Sequence, residues 1–310
     1  LAEWSVILKK SMGIVPLYFF LRKGDEIVGL LPLYRNKGIF ADYYSTTQGG
    51  ILLNEEKDIN RVVGELDQIN IDLNSRKIIL KNCSNEVPDF YEDKSNFNLK
   101  KPLPDSLDEL WESIPSKRKN TVRKGLKNNL EIKVVKPGKK DVDEFYRIYA
   151  RNYRDLGTPV KPKSYFYLQR ELLLSHIGMI KIFYQQKLIG VMWLHHFKDE
   201  MADPEAASYR EYFHTKVNDY MYYKAFEHAL KKECTTFNMG RSQYNSGTYQ
   251  FKKSWGEVKI MEIKEYSNRQ KKNIEARKTE YHSLIKLWQK LPIGLTTFIG
   301  PYVRRHFNLE

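Results

Sequence analysis

One pattern occurs twice in this sequence and limits what the chain can fold into. Residues 17–33 read "LYFFLRKGDEIVGLLPL", an apolar run, a polar turn over Lys23, Gly24, Asp25 and Glu26, and a second apolar run. That alternation of strand, turn and strand is a β-hairpin signature. Residues 179–197, "MIKIFYQQKLIGVMWLHHF", repeat it. With two turn residues dropped, Gly29 falls on Gly190, each behind an apolar pair, Ile27-Val28 and Leu188-Ile189. A helix and a strand follow both hairpins. In the first copy "INRVVGELDQINIDLN" spaces Ile59, Val62, Val63 and Leu66 as a helix does, and "KIILKNC" reads as a buried strand. In the second, "NDYMYYKAFEHALKK" puts Tyr222, Tyr223, Phe226, Ala229 and Leu230 on one stripe, and "TTFNM" returns as a strand. Chance similarity between hairpins is common, but a shared continuation is less so. The sequence therefore predicts two copies of one α/β unit, joined near "KKPLPDS" at 100–106.

Composition agrees. Hydrophobic residues make up 41% of the chain and aromatic residues 13%, enough for packed cores. No apolar run is long enough to span a bilayer, and no signal-peptide pattern opens the chain; the start at Leu1 suggests that residues precede it. Cys83 and Cys234 lie far apart without metal-ligand spacing, so a reduced cytoplasmic protein without a metal is expected. The excess of 52 Lys and Arg over 38 Asp and Glu, a net charge of +14, favours anionic partners: RNA, phosphorylated small molecules or acidic lipid headgroups. A generally Lys-rich surface would give the same excess.

The positive charge is concentrated after the joint. Ser106 and Glu109 form a capping-box pair ahead of Leu107, Leu110, Trp111 and Ile114. After Pro115 comes "SKRKNTVRKGLKNN", with Lys117, Arg118, Lys119, Arg123, Lys124 and Lys127 in little more than three helical turns. Lys119, Arg123 and Lys127 share a face, where like charges repel unless an anion neutralises them. The run is the best electrostatic candidate for phosphate contact, beside the plainer reading of a solvated face over Val122 and Leu126. A further helix, with Asp141 and Glu144 as a second capping box, carries Phe145, Ile148, Tyr149 and Tyr153 on one face and stops at Gly157. Arg151, Arg154 and Asp155 project near its end.

Several chemistries have no signature here: no P-loop, no Gly-x-Gly-x-x-Gly, no nucleophile elbow and no zinc helix. His195 and His196 are neighbours in a strand and point to opposite faces, so one metal cannot easily use both. The polar run Met201, Asp203, Pro204, Glu205 and Tyr209 offers Asp203 or Glu205 as a base, or forms a solvated turn. The stretch "NMGRSQYNSGTYQFKKSWG" (238–256) shows two glycine turns and nothing that reads as a helix. Of its adjacent lysines, Lys252 and Lys253, only one need reach a site.

"YARNYRDLGTPV", "FNMGRSQYNSGTYQFKKSWG" and "LPIGLTTFIGPYVRRHF" together resemble the FemAB-like proteins, nearest the branch found beside exopolysaccharide and protein-sorting (PEP-CTERM) systems. "SKRKNTVRKGLKNNLEIKVV" is similar to that family's Arg-Asn-x-x-Arg-Lys helix, and "STTQGGILL" (45–53) to its first-half glycine turn. The resemblance runs in order through nearly the whole chain. It implies an α/β (α+β) fold of two tandem acetyltransferase-like (GNAT) domains with mixed sheets. Residues 1–102 would form the first domain, 103–270 the second with the main site, and 271–310 a helical extension.

The resemblance also implies an acyl or aminoacyl transfer to an amine of an anionic cell-envelope precursor, either a peptidoglycan stem peptide or an exopolysaccharide amino sugar. The family's Phe-Lys pair maps onto Phe251 and Lys252, with Lys252 as the catalytic ammonium that stabilises developing negative charge or holds a phosphate. The expected substrate-binding set is Arg118, Asn120, Arg123, Arg151, Asp155, Asp203, Tyr209, Asn218, Arg241, Ser242, Thr248 and Phe251. No tightly bound cofactor is implied; the donor is aminoacyl-tRNA or acyl-CoA. The chain lacks the long charged heptad arm of some members. It also lacks the Gln/Arg-x-x-Gly-x-Gly/Ala turn whose backbone N–H groups bind CoA pyrophosphate at a helix N-terminus, for "KDEMADPEAASYREYFHTKVND" has no such glycines. A non-catalytic binding protein of an export system is the remaining alternative. In the tail, Pro292 and Pro301 divide an apolar, basic-flanked stretch into short helices. Residues 292–310 either dock on the second domain or lie peripherally in a membrane interface.

Overall fold

A computed structural model of the chain describes residues 2–36, 38, 42–47, 50–54, 65, 77–81, 90–267 and 274–306. The helix expected at 59–74 and Cys83 lie outside the described residues. The chain divides into two compact units: residues 1–95 with 263–287 and 298–310, and residues 96–262 with 288–297.

In the first unit, helix α1 (Ala2–Met12) leads into strands β1 (Val15–Lys23) and β2 (Glu26–Asn36), then β3 (Tyr43–Ser45), β4 (Leu52–Leu53) and β5 (Lys77–Lys81). β1 and β2 form the expected hairpin, and β3 pairs parallel with β5. Leu31, Leu33, Tyr44, Ile78, Leu80 and Tyr266 make the core. Tyr266 arrives on a late strand that pairs antiparallel with β5 through Glu265, Tyr266 and Ser267.

The chain enters the second unit within strand β6 (Tyr91–Pro102) and continues through helices α2 (Leu107–Ser113) and α3 (Ser116–Lys127), strand β7 (Glu131–Val135) and helices α4 (Lys139–Leu156) and α5 (Lys163–Leu172). Strands β8 (Ile177–Tyr184), β9 (Lys187–Phe197) and β10 (Glu200–Ser208) follow, then a 3-10 turn, helix α6 (Val217–Leu230), strand β11 (Thr236–Gln243) and helix α7 (Gly247–Lys253). Strand β12 (Lys259–Ser267) and helices α8 (Ile274–Lys290) and α9 (Ile293–Arg304) complete the chain. The sheet order in this unit is β6-β11-β10-β9-β8-β7. Alternation along β9 shows what covers each face. Met192 and Leu194 join the core built on Tyr220, Met221, Ala225 and Phe226 of α6. Trp193 between them packs instead on Phe145 of α4 and Phe166 of α5, with ring centroids at 5.2 and 5.4 Å.

The two hairpins match in detail. In the first, Leu21 opposes Gly29 and Arg22 opposes Ile27, so Val28 is the extra residue of a bulge. In the second, Ile182 opposes Gly190 and Phe183 opposes Leu188, so Ile189 is. The matched glycines therefore sit at the same place in the same bulge. A Cβ on Gly29 would lie 2.7 Å from Leu53 Cδ2, and one on Gly190 2.8 Å from Val217 Cγ2.

Some local expectations change. Ser106 does cap α2, its Oγ accepting from the Glu109 N–H. Asp141 is not the N-cap of α4, which begins at Lys139 behind Gly138; it is the third helical residue, and its carboxylate reaches back to accept the Gly138 N–H at 2.9 Å. Glu144, which was paired with it, instead meets the Lys181 ammonium. Pro301 does not end a helix, for α9 continues through it to Arg304. Its missing N–H falls in the last turns of α9, so the helix forgoes the backbone bond to the Thr297 carbonyl and still runs on to Arg304.

Candidate functional site

Strands β10 and β11 run parallel, and their pairing covers only Glu200–Ala202 against Thr236–Asn238. Beyond that level β10 continues to Ser208 and β11 to Gln243. Each has a bulge in its other ladder at this height, between Ala202 and Glu205 against β9 and between Asn238 and Arg241 against β6. Bulges add local twist and turn the strands apart. Gly240, with φ of 70°, stands at the opening; a Cβ there would lie 3.9 Å from the Asp203 carbonyl oxygen and 4.0 Å from Lys252 Nζ.

Lys252 reaches this opening from α7. The segment expected to be a loop turns into a helix because Ser246 caps it, its Oγ accepting from the Tyr249 N–H at 3.2 Å. Lys252 and Lys253 thus follow a helical step and diverge: Lys252 is 8% exposed, whereas Lys253 is exposed. The Lys252 ammonium donates to the Gly240 carbonyl at 3.2 Å and the Arg241 carbonyl at 3.1 Å. Burial lowers its pKa, the nearby Asp203 carboxylate opposes that shift, and the Arg241 charge adds to it.

Asp203 is the second buried group. The polar run that offered a solvated turn is strand β10, and Asp203 and Glu205 are each 6% exposed. Tyr222 on α6 donates its hydroxyl to Asp203 Oδ2 at 2.5 Å. Desolvation raises the Asp203 pKa to about 6, although Lys252 and Tyr222 pull it down. Among the described residues, Asp203 Oδ1 and the Ser242 Oγ are buried without a hydrogen-bond partner. Buried polar atoms left this way are costly and unusual. Glu205 turns to the other face, where it meets Lys161 Nζ at 3.2 Å and accepts from the Tyr153 hydroxyl at 2.5 Å.

Around α7 the packing is aromatic. Phe251 lies against Tyr222 and Trp255, with centroids at 5.1 and 6.1 Å. Arg118 stacks over both Phe251 (4.7 Å) and Trp255 (5.1 Å), and its two terminal nitrogens donate to Asp219 and to Ser254. Asp219 stands in the first turn of α6. Its carboxylate therefore occupies the end of the helix where orphan N–H groups and the dipole favour an anion.

The remaining sequence candidates are dispersed. Asn120 and Arg123 are exposed on α3, hydrogen-bonded to each other at 3.1 Å, with Arg123 over the Trp111 ring at 5.2 Å. Arg151 stacks on Tyr209 at 4.9 Å and pairs with Glu211 at 3.1 Å. Asp155 pairs with its neighbour Arg154 at 2.7 Å. Asn218 accepts from the Ser208 hydroxyl at 2.7 Å, and Thr248 is exposed beside Ser246. The structure brings together Asp203, Arg241, Phe251 and Lys252, and buries Ser242 on β11 next to Arg241. It adds Tyr222, Asp219 and Ser254, whose pairings span up to 136 positions and leave no local signal.

His195 does not belong to this cluster. Its Nε2 lies 2.7 Å from Gln169 Oε1, which also accepts from the Trp193 indole at 3.0 Å. Burial and the Lys161 charge lower its pKa to about 4, so the ring is neutral. Among the described residues no group of His, Cys, Asp and Glu is placed to hold a metal.

An acetyltransferase (GNAT) domain family matches residues 116–253, which include α3, β10, β11 and α7. No curated protein matches the chain. Among solved structures, FemX superposes with a TM-score of 0.64 at 13% identity, covering 92% of this chain and 94% of that one. L-PGS from Bacillus licheniformis gives 0.58 at 11% identity, covering 92% and 96%. A tandem GNAT protein from the clavulanic acid biosynthesis pathway gives 0.55 at 12%, covering 84% and 85%. At such identities the likeness is one of fold. Residues 116–253 thus carry a segment similar to the GNAT acetyltransferases, and the chain shares its fold with FemX.

Proposed function

We propose that the chain transfers an aminoacyl group from aminoacyl-tRNA to an amine of a cell-envelope precursor, a peptidoglycan stem peptide or an exopolysaccharide amino sugar. The observation that carries this reading is the buried Lys252 and Asp203 at the parting of β10 and β11. An amine acceptor arrives as an ammonium ion and must lose a proton before it can attack. Asp203, with a pKa of about 6, is ionised near neutrality and basic enough to take that proton. The free amine then attacks the ester carbonyl of the donor. The Lys252 ammonium, already fixed by two carbonyls, stabilises the oxyanion that forms. Collapse of the intermediate breaks the ester bond, the tRNA hydroxyl leaves with the second amine proton, and Asp203 returns its proton to solvent. The unpartnered Asp203 Oδ1 and Ser242 Oγ supply the polar contacts for the incoming ammonium.

Two features favour tRNA over CoA as the donor. The FemAB-like resemblance of the sequence implies that donor, and the fold shared with FemX is consistent with it. The first turn of α6, where a CoA pyrophosphate would be cradled, is held by the chain's own Asp219 carboxylate and Arg118. Incubation with labelled aminoacyl-tRNA or labelled acyl-CoA, each with lipid-linked stem peptide or lipid-linked amino sugar, tests the reading. Label is expected in the acceptor only from tRNA, and not with Lys252→Ala; transfer from acyl-CoA alone overturns it.

A further inference from the structure

Helix α9 is amphipathic in the inverted sense. Leu295, Phe298 and Tyr302 are 43%, 71% and 57% exposed, while Thr296 and Arg304 are 2% and 5% exposed. At about 100° per residue, Leu295, Phe298 and Tyr302 fall within roughly 60° of one another, and Thr296, Gly300 and Arg304 lie on the other side. The small and polar side chains are the buried ones, and the large apolar ones face outward. Phe298 and Tyr302 lie side by side there, with centroids at 6.3 Å, and Arg305 stacks on Tyr302 at 5.1 Å.

The surrounding charge says what such a face would meet. From Tyr281 to His306 the sequence contains no Asp or Glu, whereas Lys286 and Lys290 are exposed and Arg305 stands beside Tyr302. A protein-docking helix more often presents polar groups of both signs at its rim. A segment with aromatic rings, aliphatic side chains and cations alone matches an anionic bilayer interface, in which rings and leucine enter the acyl boundary and lysines meet lipid phosphates. No helix among the described residues is long and apolar enough to cross a membrane, so contact by one face is the available mode.

We infer that α9 docks the protein on an anionic lipid surface through Leu295, Phe298 and Tyr302. This rests on the exposure and charge of the helix and not on the acyl-transfer reading. The full chain is sedimented with vesicles of phosphatidylcholine alone and of phosphatidylcholine with phosphatidylglycerol. Binding is expected only to the anionic vesicles, to weaken with salt, and to fall about tenfold or more in the combined variant Leu295→Ser, Phe298→Ser, Tyr302→Ser with an unchanged melting temperature. Lys286→Glu with Lys290→Glu should remove the preference for phosphatidylglycerol. If the triple variant fails to fold, Phe298→Trp provides the readout: brominated lipids should quench it beyond the parent's own tryptophans. A parent that stays in the supernatant with both vesicles overturns the inference, as does a folded triple variant that sediments like the parent. An unquenched Phe298→Trp variant does so too. A parent dimer that the triple variant converts to a monomer also overturns it, because a second copy then covers the face.

Discussion

Asp203 and Glu205 stand two positions apart on one strand, yet Tyr222 of α6 holds one and Tyr153 of α4 holds the other, from opposite faces of the sheet. A regular strand would put both on one face. The bulge between Ala202 and Glu205 removes that restriction, sending Asp203 toward Lys252 and Glu205 toward Lys161. Their substitutions should therefore separate. Glu205→Gln removes the carboxylate charge that the Lys161 ammonium meets at 3.2 Å and should cost about 3 kcal/mol of stability in urea unfolding, with little change in the pH profile of transfer.

Asp203 should set the acidic limb of that profile. Its carboxylate must be ionised to accept a proton, so kcat/KM should rise as pH increases through about 6. The rate should fall again where Lys252 loses its proton, below the usual lysine range because burial lowers its pKa. Asp203→Asn should lower the rate and abolish the acidic limb. A limb that persists in that variant would assign the base elsewhere.

Lys252→Ala should reduce transfer by about 10²–10³-fold, the scale of losing one preorganised oxyanion donor. Lys253→Ala, one residue on and exposed, should do little. Circular dichroism and single-turnover rates on both variants make the comparison.

Arg118 and Arg123 share α3 but not a role. Arg118 is a strut between Phe251, Trp255, Asp219 and Ser254, so it holds α7 and hence Lys252. Arg118→Lys keeps the charge but loses the planar stack and the two-pronged donation, and should lower kcat with the salt dependence unchanged. Arg123 is exposed. Its reversal to Glu should weaken binding of an anionic substrate and flatten the salt dependence. Rates measured across ionic strengths distinguish the two.

Gly190→Ala places a methyl 2.8 Å from Val217 Cγ2, at the first residue of α6. A loss of about 1–3 kcal/mol is expected, as for other overpacked positions. Adding Val217→Ala should recover most of it, measured by thermal unfolding.

Much of the architecture was legible in the sequence because it is local. The hairpins, the Ser106 cap, the stop at Gly157 and the stripe on α6 each follow from spacing within one or two turns. The match of Gly29 to Gly190 extended that legibility to the repeat, since a bulge needs its residue count conserved whatever the side chains are. The Phe251-Lys252 pair was singled out through resemblance, and the structure buries Lys252 on α7.

Tertiary structure decided the rest. The stretch 238–256 looked like a loop because its helix is only seven residues long and starts behind a serine cap, too short for periodicity to register. The run around Asp203 looked solvated because two acids and a proline are seldom buried. Only the tyrosine hydroxyls and lysines brought from distant segments make that burial tolerable. Arg118 looked like a phosphate ligand because charge density along a helix is visible in sequence, whereas the Asp219 that neutralises it is 101 positions away. A sequence displays which charges are near each other along the chain. Which of them meet, and which lie beyond the reach of water, depends on the packing of helices against a bulged sheet, and the burial and shifted pKa values of Asp203 and Lys252 follow from that packing.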